Sequence, residues 1–138
     1  MNLVQDIISG LEKYRDIKFE KKGENELKIF GEELNGFDII LFEGERENML
    51  YLGNFHGHFN NTETGIDELV DKIFLSLIGE IRVKEFSKNG ESYKWVLQIR
   101  DVNCNWYDTE TTSLVKMNFG KEDDVTYYQN NLVLPKHN

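Results

Sequence analysis

Cysteine, proline and long apolar runs are scarce in this sequence, and each scarcity excludes a class of protein. Cys104 is the single cysteine, so no intrachain disulfide can form, which favours the reducing cytoplasm. The longest apolar runs, such as residues 37–42, fall far short of the roughly 18 residues that span a bilayer. Residues 1–6 carry no basic region and no uninterrupted apolar segment, so we expect a cytoplasmic protein without a secretory signal.

Complete signatures of catalysis are missing as well. No glycine-rich phosphate loop precedes a helix, no Ser-His-Asp order is recognisable, and Cys104 has no identifiable histidine partner. Nothing in the sequence therefore requires an enzyme. The 138 residues, of which 39% are apolar, suffice for one core, and we expect a single folded domain over residues 1–138.

Acidic residues outnumber basic ones, 25 to 16, which gives a formal charge of −9. This charge disfavours attraction to nucleic acid or anionic lipid and indicates a basic protein partner. Clustered carboxylates in turns are normally solvated, and they accelerate encounter with a basic partner more readily than they perform acid/base chemistry. Two predicted turns carry the candidate partner-binding residues, which are Glu43, Glu45, Glu47, Glu122, Asp123 and Asp124.

Apolar spacing predicts an α+β fold. Residues 2–16 and 64–78 repeat apolar side chains at helical spacing, with Thr62 or Thr64 as the cap of the second helix and Gly79 beyond its end. Strand-like runs cover 17–21, 26–30, 37–42, 49–54, 81–87, 92–100, 106–117 and 125–134, and Pro135 ends the ordered part. We predict an antiparallel sheet of about six to eight strands with two principal helices packed on it.

Asn89-Gly90 predicts a two-residue hairpin between the strands 81–87 and 92–100. In that register Phe86 faces Tyr93, Lys84 faces Trp95 and Arg82 faces Leu97, while the other side pairs Glu85 with Lys94 and Val83 with Val96. A surface of Arg82, Lys84, Tyr93 and Trp95 would suit a single-stranded nucleic-acid binder. The alternative is that Tyr93, Trp95 and Leu97 form the core face and the basic side chains extend from its edge.

His56-Gly57-His58 is a candidate metal site. Residues two apart on an extended backbone point to the same side, so His56 and His58 can begin a zinc site and support a small metal-assisted enzyme. Further ligands would have to come from Cys104, His137 or one of the carboxylates Glu63, Asp67 and Asp71. The alternative is a strand end that leads into the helix 64–78, with Phe55, Gly57 and Phe59 packed beneath and no cofactor.

The C-terminal run Tyr127-Tyr128-Gln129-Asn130-Asn131-Leu132-Val133-Leu134 places three amides inside a strand-like segment. It resembles the ending of small acidic bacterial immunity proteins of contact-dependent growth inhibition systems, in which an aromatic or valine pair precedes Gln-Asn and an apolar strand. The strand 93–97 is similar to theirs too. The resemblance implies a cytoplasmic, non-enzymatic protein that binds and blocks one toxin domain. The alternative is that residues 129–131 form a bulge or amide pairs in an ordinary strand.

Overall fold

The computed structural model describes residues 2–114 and 124–133, which contain two helices and nine strands. The helices are α1 (Leu3–Leu11) and α2 (Glu63–Leu77). The strands are β1 (Phe19–Lys22), β2 (Glu26–Ile29), β3 (Ile39–Phe42), β4 (Glu47–Leu52), β5 (Phe55–Asn60), β6 (Ile81–Lys88), β7 (Glu91–Arg100), β8 (Trp106–Ser113) and β9 (Asp124–Gln129). The predicted α+β class is confirmed.

The strands form two antiparallel sheets rather than one. The first is a meander in the order β1-β2-β3-β4-β5, and the second has the order β8-β7-β6-β9. One hydrophobic cluster contains residues from both helices and both sheets, and α2 contacts β5 of the first sheet and β6 of the second. Neither helix of the described residues is long and apolar enough to cross a membrane.

Both helices begin at side-chain caps that the sequence favours. The Asn2 side chain accepts a hydrogen bond from the Gln5 backbone N–H at the start of α1, and Thr62 accepts one from Gly65 at the start of α2. Gly79, with φ +83°, follows the end of α2, as predicted. The first helix is shorter than the predicted 2–16, because the chain turns after Leu11.

The segment around His56 and His58 is a strand of its own, which corrects the prediction of a strand end. Gly53, with φ +61°, and Asn54 form a two-residue link that pairs Leu52 with Phe55. Beyond this link Phe55, Gly57 and Phe59 are buried and alternate with the two histidines. This alternation is the period-two pattern of a strand with one buried face.

The β6–β7 hairpin forms around Asn89-Gly90, but its predicted pairing is wrong beyond the turn. Asn89 and Gly90 both have positive φ, and Lys88 pairs with Glu91 as the two-residue loop requires. A bulge between Phe86 and Ser87 then shifts the register by one residue. The resulting pairs are Phe86–Lys94, Glu85–Trp95, Lys84–Val96, Val83–Leu97 and Arg82–Gln98.

This shift separates the four residues predicted to form a nucleic-acid surface. Tyr93 and Trp95 are buried, with exposed fractions of 6% and 8%, and Trp95 belongs to the hydrophobic core. Arg82 and Lys84 lie on the opposite, outer face of the second sheet, because neighbours along a strand alternate between faces. Tyr93, Trp95 and Leu97 therefore form the core face, as one of the two interpretations of the hairpin had it, but the basic side chains lie on the opposite face and do not extend from the edge of the core face.

Strand β9 is shorter than predicted, because it ends at Gln129 and residues 130–133 are not part of a strand. Strand β8 ends at Ser113, and residues 115–117 of its predicted range lie outside the described residues. Residues Asn130 to Val133 leave the sheet and contact other elements through hydrogen bonds. Glu122, Asp123, Pro135 and His137 lie outside the described residues.

Candidate functional site

The acidic turn between β3 and β4 is held in place by asparagine side chains. Asn48, fully buried, accepts a hydrogen bond from the Gly44 N–H, and Asn61 donates to the carbonyl oxygens of Gly44 and Glu45. Two of the three predicted acids have contacts within the chain. Glu43 accepts a hydrogen bond from the Val4 N–H at 3.0 Å, at the positive end of α1, and Glu47 contacts His58. Glu45 is exposed.

Asp124 does not belong to this turn. It is the first residue of β9, an edge strand of the second sheet, and it pairs with Ser87 of β6. The structure therefore places the predicted acidic residues on two different sheets, and Glu122 and Asp123 remain outside the described residues.

His56 and His58 lie side by side on the outer face of the first sheet, as their spacing predicts. Their ring centroids are 5.9 Å apart, and Tyr51 of β4 is 5.5 Å from His56. The Nδ1 atom of His58 is 3.2 Å from Oε1 of Glu47, on the neighbouring strand. Among residues 2–114 and 124–133, no group of three or more His, Cys, Asp or Glu side chains gathers around a common point. Cys104 is exposed in the link between β7 and β8.

The amides of the C-terminal segment connect the second sheet to the first. Asn130, fully buried, accepts hydrogen bonds from the N–H groups of Phe37 and Glu32 and donates one to the Phe37 carbonyl at 2.8 Å. Gln129 donates to the Gly79 carbonyl, and its own N–H donates to the Asn35 carbonyl. The amides are therefore bonded to the β2–β3 loop and to the end of α2, and not to each other within a strand.

Two glycines make the Asn130 contact possible. A Cβ atom at Gly31 would lie 2.8 Å from the Oδ1 atom of Asn130, and one at Gly36 would lie 2.6 Å from it. A Cβ atom at either position would clash even more closely with the loop's own backbone, at the Phe37 carbonyl oxygen for Gly31 and at the Glu32 carbonyl oxygen for Gly36. The β2–β3 loop is thus shaped to receive Asn130.

Beside this loop the surface forms a groove of about 640 Å³. Its charged lining consists of four carboxylates and one lysine: Asp16, Glu32, Glu33, Asp38 and Lys18. Phe30, Phe37 and Leu132 add apolar contacts. Asp38 accepts a hydrogen bond from the Gly31 N–H at 2.9 Å, and Glu32 accepts one from the Asn131 N–H at 3.1 Å. These bonds fix two of the carboxylates at the groove, while Asp16 and Glu33 are exposed.

The outer face of the second sheet carries an alternating series of basic and aromatic side chains, which we call the cation–aromatic array. The Arg82 guanidinium lies 4.2 Å from the Trp106 ring centroid and 4.1 Å from that of Tyr127. Arg100 approaches Trp106, Lys84 approaches Tyr127 and Phe86, and Lys94 approaches Phe86. Each of the three rings therefore contacts two cations.

Burial lowers the pKa of the Arg82 guanidinium, and Tyr127 partly opposes this effect. An arginine stays protonated at neutral pH despite such a shift. The Nε atom of Arg82 donates a 2.7 Å hydrogen bond to Gln98, whose amide in turn donates to Asp108. These bonds and the two flanking rings hold the guanidinium in one orientation.

Between the two sheets, Glu85 accepts two hydrogen bonds on the inner side. The Trp95 Nε1–H donates to one carboxylate oxygen at 2.8 Å and the Tyr128 hydroxyl donates to the other at 3.1 Å. Burial raises the pKa of the Tyr128 hydroxyl, and the Glu85 charge adds to this effect. A cavity of about 180 Å³ adjoins these three side chains. Because the polar atoms of Glu85, Trp95 and Tyr128 are hydrogen-bonded to one another, we assign these three side chains a structural role.

Sequence reasoning missed the groove and the cation–aromatic array. The groove joins residues 16–38 to Leu132, which are distant in the sequence, and no local pattern signals that contact. The array depends on the β6–β7 bulge and on the pairing of β9 with β6. The available signal was the alternation of Arg82, Lys84 and Phe86 along one strand.

Comparison with known proteins gave no match: no family model, no curated protein and no solved structure is similar to this chain.

Proposed function

We propose that this protein is a non-enzymatic binding protein that neutralises or regulates a basic protein partner. The carrying observation is the groove beside the β2–β3 loop, in which four carboxylates face one lysine. The formal charge of −9 also favours a basic partner, because it attracts a basic surface toward the protein from a distance.

The construction of the groove favours binding over catalysis. Its apolar residues can contact a partner, and two of its carboxylates, those of Asp38 and Glu32, accept hydrogen bonds from backbone N–H groups. A loop that Asn130 already orders loses little conformational freedom when a partner binds. Such preorganisation raises the affinity for the partner, which a neutralising protein needs.

The specific form that we propose is an immunity protein against a toxin domain. It rests on the similarity of the segment 127–134 to the ending of immunity proteins of contact-dependent growth inhibition systems. In this chain Asn130 and Asn131 of that segment contact the β2–β3 loop at the groove. The segment would then build the binding surface rather than touch the toxin through its buried amide.

Capture and rescue of growth test this proposal. The tagged protein is incubated with lysate of its host, and we expect it to retain a basic protein. That protein is then expressed alone and together with this chain. Restored growth in the co-expression supports neutralisation, whereas growth inhibition in both cultures, or no retained protein, contradicts the proposal.

Three charge variants distinguish the acidic surfaces. Asp16→Asn/Glu33→Gln removes two exposed groove carboxylates, and we expect it to weaken retention of the partner about tenfold. Glu45→Gln/Glu47→Gln makes the same change in charge at the β3–β4 turn. Glu12→Gln/Glu20→Gln is the matched control at exposed sites elsewhere. Equal loss in all three variants would mean that net charge, and not the groove, drives binding.

A second candidate is a metal site at His56 and His58. The contact between Glu47 and the Nδ1 atom of His58 favours it, because a carboxylate on one ring nitrogen orients the other nitrogen toward a ligand. Zinc would require at least one further ligand. Titration of zinc into untagged protein checks this candidate, and an affinity that is unchanged in His56→Ala/His58→Ala would eliminate it.

A further inference from the structure

We propose that the cation–aromatic array on the outer face of the second sheet is a second binding surface, and that its occupant is an acidic polypeptide segment of a protein partner. This surface is opposite in charge to the groove and does not depend on it. The groove variant Asp16→Asn/Glu33→Gln should therefore leave binding at the array unchanged.

The array is long enough for an extended segment. Arg100 and Lys94 lie six residues apart on β7, which corresponds to about 20 Å at about 3.4 Å per residue. Arg82 and Lys84 are two residues apart on β6, so their backbone positions are separated by about 6.8 Å. Alternate side chains of an extended peptide have the same spacing, and carboxylates at every second position can meet successive cations.

Within residues 2–114 and 124–133, three of the four cations have no ion-pair partner. Arg100 forms an ion pair with Glu80 at 2.9 Å. Across the described ranges, no carboxylate forms an ion pair with Arg82, Lys84 or Lys94. Their contacts with the rings hold these cations in place but do not neutralise them. A charge-assisted hydrogen bond to an incoming carboxylate is the interaction that they still lack.

A protein partner fits this surface better than a single-stranded nucleic acid. Single-stranded nucleic acids bind to open aromatic platforms, and here Trp106, Tyr127 and Phe86 each contact two cations already. A long polyanion would also meet the negative charge of the remaining protein, whereas an acidic segment on a folded partner meets this face alone. Tryptophan, tyrosine and arginine are moreover the residues that carry most binding energy in protein interfaces.

Nuclear magnetic resonance tests the proposal, because the chain holds two tryptophans in contrasting places. Trp106 lies on the array, while the Trp95 Nε1–H is bonded to Glu85 in the interior. The probes are an octapeptide of alternating glutamate and serine, the same peptide with glutamine for glutamate, and an octathymidylate. We expect the glutamate peptide to shift the Trp106 indole N–H signal and to leave that of Trp95 in place, with weaker binding at higher salt.

Substitutions then assign the effect to the array. Arg82→Gln should weaken binding of the glutamate peptide about tenfold, and Lys94→Gln gives a second reading if the first variant does not fold. The exposed Lys13→Gln makes the same change in charge and should have no effect. Absence of a Trp106 shift, or equal affinities of parent and array variants, would overturn the proposal. A response to octathymidylate that equals or exceeds that to the glutamate peptide would overturn it in favour of a nucleic-acid or general polyanion site.

Discussion

The outer faces of the two sheets differ in what their aromatic rings contact. On the first, aromatic rings contact one another in a series: Phe42 and Tyr51 at 5.9 Å, Tyr51 and His56 at 5.5 Å, and His56 and His58 at 5.9 Å. On the second, the rings contact cations instead, and Arg82 alone contacts two of them. Net charge alone is therefore a poor description of this protein, because four of its sixteen basic residues lie together on the outer face of the second sheet.

The difference has a consequence for binding. A ring–ring contact carries no charge, whereas a cation–aromatic contact keeps a permanent charge in a fixed position. The acidic groove adds a surface of the opposite sign beside the β2–β3 loop of the first sheet. The described residues thus present an acidic and a basic surface on different sheets, and the contacts between the sheets fix how the two surfaces lie relative to each other.

We expect the largest effect from Asn130→Ala, which removes the hydrogen bonds between the C-terminal segment and the β2–β3 loop. The substitution removes the partner of two buried groups, the N–H and the carbonyl of Phe37, and of the partly buried N–H of Glu32. We expect a loss of about 3 kcal/mol in the free energy of unfolding, measured with urea.

Asn131→Ala is the matched control for that experiment. The side chain of Asn131 is exposed, and its described contact uses the backbone N–H, so its loss should cost less than about 0.5 kcal/mol. Equal unfolding energies for the two variants would mean that the amide does not join the sheets.

Asn130 also shows where prediction from sequence ends. Helix α2 and the Asn89-Gly90 turn were predictable, because their signals lie within a few residues of each other. Asn130 binds residues 93 and 98 positions away, and no local pattern encodes such a contact. The division into two sheets was missed for the same reason, since it depends on how distant strands pair.

The candidate surfaces, too, were predictable only where the signal lies within a few residues. The shared face of His56 and His58 was predictable from the alternation of a strand, and it is confirmed. The faces of Arg82 and Tyr93 were not, because one bulge between Phe86 and Ser87 moved them to opposite sides of the sheet. A single inserted residue therefore decided which aromatic side chains the cations could reach.

An intermediate effect is expected for Arg82→Met, which keeps the apolar stem and removes the charge. The guanidinium contacts two rings, and each such contact contributes about 0.5–1 kcal/mol at a partly exposed site, so we expect a loss of about 1–2 kcal/mol. Urea unfolding measures it, with the exposed Lys13→Met as the control. If Arg82→Met and Lys13→Met have the same free energy of unfolding, the contacts of Arg82 with the rings do not stabilise the fold. The contrast between the two outer faces then concerns binding alone.

The smallest effect concerns the one compensated cation of the array. Arg100 donates two hydrogen bonds to Glu80, at 3.1 and 2.9 Å, and these bonds hold the pKa of the Glu80 carboxyl below its usual range. A lowered folded-state pKa means that the bond stabilises the protein above the unfolded pKa of about 4.3 and that this stability is lost as the pH falls through the folded value. Because both side chains are about one-third exposed, we expect Glu80→Gln to cost less than about 1 kcal/mol at pH 7.

The pH dependence separates this ion pair from a packing defect. The difference in unfolding energy between the parent and Glu80→Gln should be constant from pH 7 to about 5 and should shrink below about pH 4.3, as Glu80 becomes protonated in the parent. A difference that persists at pH 3 would mean that glutamine packs poorly at this position, and the cost of the substitution would then not measure the ion pair.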